Sequence, residues 1–193
     1  MNLLARDGTL DILAERLRRL YRQAASHQFT LPDGTSAPKF VNLDMEEYRD
    51  LHLTVAVFRK VLDEPEFFHH SAGIVLQAYL PDAYLYQQEL TLWALQRVAS
   101  GGAPIKVRIV KGANLAMEQL ESRLRQWPQA PYLHKVDVDA NFKRMVAYGC
   151  QAEHAPAVNL GIASHNLFDI AYAMLIRAEN RVEEHVSFEM LEG

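Results

Sequence analysis

An α/β fold built on parallel strands, either doubly wound or a (β/α) barrel, is predicted by three observations. Short apolar segments alternate with longer segments of helical periodicity. Each apolar segment ends in polar or glycine-containing residues just where the next helix begins. Polar residues at those junctions recur at near-constant spacing, 33 residues from Asp44 to Gln77 and 31 from Gln77 to Arg108. Such spacing is one βα unit, and strands joined by helices pair in parallel through right-handed crossovers.

The elements follow in order. Leu10, Leu13, Leu17 and Leu20 repeat at helical spacing, which predicts a helix over about 10–25. "TLPDGTSAPK" (30–39) collects Pro, Asp, Gly and Ser and reads as a turn-rich connector. "KFVNLDM" reads as a strand, and "EEYRDLHLTVAVFRKVLDE" as an amphipathic helix that stops at Pro65. "AGIVLQAYL" is the second strand, and Pro81-Asp82 opens a helix that Gly101-Gly102 ends. "KVRIV" is the third strand, followed by the helix "NLAMEQLESRLRQW" and a further helix, "KVDVDANFKRMVAYG". Strand "AVNLGIAS", helix "HNLFDIAYAMLIRAEN" and strand "HVSFEML" complete five strands.

Composition narrows the function. The 193 residues are 49% hydrophobic and 23% charged, ordinary values for one globular domain or part of a larger one. A net charge of −4, without long runs of one sign, gives no electrostatic case for nucleic acid. Cys150 stands alone, so neither a disulfide framework nor a cysteine zinc site is expected. The opening residues lack a signal-peptide core, and no stretch approaches the roughly 18 to 20 apolar residues of a spanning helix. A reducing, cytoplasmic setting is expected.

Strand side chains alternate in direction, so Asn42 and Asp44 share a face, as do Val75, Gln77 and Tyr79, and as do Arg108 and Val110. Three consecutive strands thus carry an acid, an amide and a guanidinium near their carboxyl ends, the rim where barrel enzymes keep their chemistry. The fourth strand ends in Ser164-His165-Asn166, and the fifth carries Glu189. Each has a plainer reading. Taken alone, Asp44 reads first as the N-cap of the next helix, Gln77 as a satisfied interior amide, and His165 as a helix-start hydrogen bonder. Arg108 resists such a reading, because a buried guanidinium needs a carboxylate or an electron-rich ligand. Gly112 permits close approach of a ligand to backbone amides, and Lys111 adds charge beside them. As a set, these residues predict a site for an anionic or polar cofactor. Tyr79, Tyr84, Tyr86 and Trp93 read as packing. No metal site is expected: His69 and His70 are adjacent and point apart, and "EEH" at His185 reads as solvated surface. Ser164 is not in a nucleophile elbow.

The blocks "FVNLDMEEYRDL", "VLQAYLPDA", "GGAPIKVRIVKGANLAME", "KVDVDANFKRM", "IASHNLFDIA" and "FEMLEG", in that order, closely resemble the proline dehydrogenase domain. The resemblance is strongest to bacterial bifunctional enzymes in which that domain is fused to L-glutamate γ-semialdehyde dehydrogenase, and it covers residues 38–193. Residues 1–37 then form an N-terminal helix and connector outside the barrel. The resemblance implies a (β/α)8 TIM-like barrel, incomplete here with about five strands. It also implies FAD as cofactor, L-proline as substrate, 1-pyrroline-5-carboxylate as product and a membrane quinone as electron acceptor. Cytoplasmic location, peripheral inner-membrane contact in the full-length protein and oligomer formation are compatible with it.

By position, the resemblance makes Asp44 the acid at the substrate side of the flavin and Met45 a lining residue. Gln77 becomes the amide at the ring and Arg108 the arginine near flavin N5. Lys111, Gly112 and Ala113 match the loop against the flavin and its ribityl-phosphate. Lys135 and Ser164-His165-Asn166 match positions around the pyrophosphate and adenosine, and Glu189 one near the adenine. Asp44 and Arg108 are the catalytic candidates, the remainder cofactor-binding. Three features of the family lack a counterpart: the paired arginine of the last barrel helix, a lysine of the first strand, and a tyrosine where this chain has Asn114. A piece of a longer polypeptide is therefore expected, one that alone binds FAD weakly and lacks proline oxidation unless a complementary piece joins it. Two other functions remain open: a non-catalytic remnant barrel acting as an interaction module, and an unrelated barrel enzyme binding phosphorylated substrates through Lys111-Gly112 and Ser164-His165.

Overall fold

The computed structural model describes residues 6–190, so the end of the block at 191–193 lies outside the described residues. The first helix, α1 (Arg6–Ser26), buries Ala14, Leu17 and Tyr21 and partly buries Leu10 and Leu13, whereas Leu20, the last of the periodic leucines, is exposed because the buried stripe runs through Tyr21 instead. Ion pairs tie α1 to the 3-10 turn at Pro65–Phe67, with Arg18 2.8 Å from Glu64 and Arg22 2.7 Å from Glu66. The expected connector is instead a short antiparallel hairpin, β1 (Gln28–Thr30) and β2 (Ser36–Pro38). Its turn uses the residues that suggested a loop. Asp33 accepts hydrogen bonds from the Thr35 amide and hydroxyl, and Gly34 takes φ 85°.

The alternating part begins with β3, which is only Asn42–Leu43 rather than the longer strand expected. The chain leaves the sheet early because the Gln77 amide nitrogen takes the carbonyls of Met45 (2.9 Å) and Glu46 (3.2 Å). A 3-10 turn at Tyr48–Asp50 leads into α2 (Leu51–Leu62), which buries Leu51, Val55, Phe58 and Leu62 along one stripe. Then come β4 (Gly73–Gln77), α3 (Asp82–Ala99), β5 (Ile105–Val110), α4 (Leu115–Arg125), α5 (Lys135–Gly149), β6 (Val158–Ala163), α6 (Leu167–Glu179) and β7 (Val186–Glu189). Gly101 ends α3 at φ 89°, as its position predicts.

The five strands form one parallel sheet in the order β3-β4-β5-β6-β7. Sequential order without a reversal is the order of a barrel, whereas a doubly wound sheet reverses at a switch point. Ile74, Leu76, Val107, Ile109, Leu160 and Ile162 are fully buried and form the core with the helices. The alternate residues Val75, Gln77, Lys106, Arg108, Asn159, Gly161, Ser187 and Glu189 turn to the opposite face. The sheet is an arc of a TIM-like (β/α) barrel with a polar inner face. Beneath it, buried Arg97 donates to the carbonyls of Leu62, Phe67, Phe68, His70 and Ala103, closing the loops around α3. His185 is not plain solvated surface: its Nδ1 lies 3.2 Å from Asn159 Oδ1 on the inner face, because β7 follows at once.

Candidate active site

At the carboxyl ends of the strands a cavity of about 500 Å³ brings together residues from, or directly after, every strand of the sheet. Asp44 and Met45 follow β3; Val75 and Gln77 come from β4; Arg108 and Val110 come from β5, with Lys111, Gly112 and Ala113 after it. Ala163, Ser164 and His165 close the β6 side, and Glu189 and Met190 the β7 side. Two of the sequence candidates lie off this wall. Lys135 is the first residue of α5, 76% exposed and 2.5 Å from Asp139 one turn on. Asn166 caps α6, accepting from the Phe168 amide at 2.9 Å.

Arg108 is the hub. Projecting from the central strand, its Nε donates to Glu189 Oε2 at 2.5 Å and its Nη1 to Asp44 Oδ1 at 3.4 Å. These carboxylates are the partners a half-buried guanidinium needs. Asp44 is an exposed rim carboxylate and caps no helix. Burial pushes the Glu189 carboxyl up, but Lys106 and Arg108 outweigh it and hold the group below its usual range.

Lys111 is shared. Its Nζ lies 2.5 Å from Asp139 and 2.6 Å from Asp169, whose side chain is 3% exposed. Burial lowers the lysine pKa, but the hydrogen bonds it donates to the two carboxylates outweigh that and leave it above the usual value. Asp169 also accepts from the Ser164 hydroxyl at 3.3 Å, and Ser164 Oγ accepts from the Asn166 amide at 3.1 Å. One network thus anchors the turns after β5 and β6. Gly112 takes φ 119°, and a Cβ there would stand 2.6 Å from the buried Tyr79 ring. Only glycine fits where the turn lies flat on that ring.

Lys106, Asp139 and Asp169 are the partners that inspection of the sequence did not single out. Lys106 had a signal, since it sits two residues before Arg108 and so shares its face. Asp139 is one helical turn past Lys135. Asp169 is three residues past its N-cap and reads simply as a helix-start acid.

The donor set fits a flat ring with polar edges. Gln77 spends its amide nitrogen on backbone, so its oxygen is left for the cavity, and Arg108 uses Nε and Nη1 only among the described contacts. Met45, Val75, Val110 and Ala163 supply apolar wall. That combination suits a flavin ring, which presents acceptor and donor edges on an apolar plane.

A family model described as proline dehydrogenase matches residues 2–193. Among solved structures, proline utilization A (PutA) from Corynebacterium freiburgense is 49% identical with a TM-score of 0.90, over 98% of this chain and 19% of that one. PutA from Bdellovibrio bacteriovorus, inactivated by N-propargylglycine, is 36% identical with a TM-score of 0.84, over 97% of this chain and 18% of that one. A Bradyrhizobium japonicum PutA, 20% identical with a TM-score of 0.79 over 96% of this chain and 17% of that one, shares the fold. The chain spans about a fifth of the length of the structures it matches. A search of curated proteins found no match. By the family match and the two more similar structures, this chain belongs to the proline dehydrogenase family.

Proposed function

We propose that this chain forms the cofactor-facing arc of a proline dehydrogenase that uses FAD to oxidise L-proline to 1-pyrroline-5-carboxylate and hands the electrons to a quinone. The observation that carries the reading is the convergence of Arg108, Gln77, Gly112 and Glu189 on one cavity with apolar walls. Residues 38–193 are the proposed partial barrel domain and residues 1–37 the segment before it; among the described residues α1 and the hairpin, which ends at Pro38, precede the arc. Cytoplasmic location with peripheral inner-membrane contact belongs to the same proposal; among the described residues no helix is long and apolar enough to cross a membrane.

FAD, when bound, supplies the acceptor for the hydride that leaves the proline carbon next to nitrogen. The chain's own residues do the positioning. Arg108 places positive charge where negative charge develops in the ring, a preorganised electrostatic role. Asp44 steers that guanidinium from the rim and faces substrate. Gln77 and Met45 hold the ring's edge and plane, and the Gly112 and Ala113 backbone lets the cofactor approach closely. Lys111, committed to Asp139 and Asp169, fixes the turn that presents those two residues. Ser164 and His165 on the cavity wall would hold the cofactor's pyrophosphate and adenosine side, with Asn166 and Lys135 flanking it from the starts of α6 and α5, and Glu189 would contribute through Arg108. Orientation and exclusion of water are the main catalytic contributions.

The test is a titration with FAD of the complete protein that contains this arc, purified free of flavin. FAD binding yields a visible flavin band, and L-proline bleaches it anaerobically. Arg108→Ala lowers proline:quinone turnover by about 10²- to 10³-fold, the loss typical of one preorganised donor. Absence of flavin binding, or turnover unchanged in Arg108→Ala, overturns the proposal.

A further inference from the structure

Lys106 lies outside the cavity wall, yet it touches what holds the hub of the site. It projects from β5 onto the inner face, two residues before Arg108, beside Gly73 on β4 and Asn159 on β6. Its Nζ is 2.6 Å from Glu189 Oε1, while Glu189 Oε2 accepts from Arg108. The carboxylate is therefore divided between two cations. Its path crosses Gly161, the β6 neighbour of Arg108. A Cβ at Gly161 would stand 2.2 Å from Glu189 Oε1 and 2.9 Å from Lys106 Cε. Gly161, which has no side chain, sits where lysine and glutamate meet.

Charge explains what the arrangement does. Arg108 alone faces two carboxylates, the half-buried Glu189 and the exposed Asp44. Lys106 and Arg108 balance the two carboxylates, Glu189 and the exposed rim group Asp44, so without Lys106 the cluster around the cavity-facing guanidinium would carry a net charge of −1. Coulomb terms add, so the Lys106 charge offsets the field of the half-buried Glu189 carboxylate around Arg108.

We propose that Lys106 is a positioning residue of this site, which by drawing on Glu189 preserves the positive field of Arg108 at the cofactor ring. The proposal rests on the flavin reading above and adds a residue that does not itself reach the cavity. The test uses the flavin-loaded holoprotein and Lys106→Met, which keeps the aliphatic stem and removes the charge. Sulfite affinity of the bound flavin reports positive charge beside the ring. Lys106→Met weakens it about tenfold, as expected for one unit charge lost nearby in a partly buried site. Lys106→Arg restores it to within about twofold, and Lys60→Met, on the outer face of α2, leaves it unchanged. Independently of flavin, the Glu189 carboxyl carbon, followed by NMR, titrates at higher pH in Lys106→Met. An unmoved sulfite affinity in flavin-loaded Lys106→Met, or equal loss in Lys106→Arg, overturns the proposal alone. Failure of the unmodified protein to bind FAD instead sinks the cofactor reading and the field effect with it, while the Glu189 titration still shows whether the two side chains are coupled.

Discussion

Replacing Lys111 with Met tests the anchor beneath the cofactor turn. The substitution strands the Asp169 carboxylate, whose side chain is 3% exposed, with only the Ser164 hydroxyl at 3.3 Å as donor. Asp139 fares better, because Lys135 remains 2.5 Å away. Removing one partner of a buried ion pair costs about 3–5 kcal/mol. Lys111 is 25% exposed and one of its two carboxylates keeps a cation, so the loss belongs at the low end, about 3 kcal/mol. The stranded charge is the main cause, so Lys111→Met with Asp169→Asn recovers about half of it, since a neutral amide needs only ordinary hydrogen bonds. Urea unfolding followed by circular dichroism gives the three stabilities by linear extrapolation. A loss below about 1 kcal/mol for Lys111→Met, or a double variant less stable than the single one, refutes the reasoning.

Gly112→Ala brings a Cβ to 2.6 Å from the buried Tyr79 ring at φ 119°, so it costs about 3 kcal/mol in the same assay and weakens flavin binding; stability equal to the parent would count against a turn seated on the ring. Acid sensitivity follows from Glu189 and Asp139, whose carboxyls are held below their ordinary values of 4.5 and 3.8. For Glu189, burial works against the shift and Lys106 with Arg108 produce it; for Asp139, Lys111 and Lys135 produce it. A folded pKa below the unfolded one stabilises the fold above the unfolded value and loses that stability as pH falls through the folded one. The urea midpoint is thus flat above about pH 5 and falls below about pH 4, the window set by ordinary carboxyl values; a midpoint that holds down to about pH 3 contradicts both ion networks.

The fold was legible where local rules agree with tertiary packing. Helix α5 runs Lys135–Gly149 as its pattern implies, because Phe142, Met145 and Val146 make one buried stripe. The inner face of the sheet was readable for the same reason: alternation is local, so Asp44, Gln77 and Arg108 could be assigned to one rim before any coordinates. What was hidden depends on distant partners. The length of β3 is set by Gln77, which removes the carbonyls of Met45 and Glu46 from the sheet. The hairpin at 28–38 has the composition of a loop and forms two three-residue strands whose side chains stay largely exposed, so no alternation announces it. Asp169 satisfies every local rule for a helix start, and only the folded chain turns its carboxylate toward Lys111. Lys135 and Asn166 were grouped with the site by resemblance, whereas their contacts are local to their own helices.

The guanidinium of Arg108 bridges the whole width of the arc. It springs from the middle strand and grips Asp44 beyond one margin and Glu189 at the other, each two strand spacings away, roughly 10 Å on a flat sheet. One side chain spans both only because the sheet curls toward it. Flattening the arc would pull the two carboxylates apart and break both grips together, so these bonds act as a brace that measures bend. Anything that claims Arg108 for itself loosens the brace, and the shape of the trough and the occupancy of its centre are then one variable.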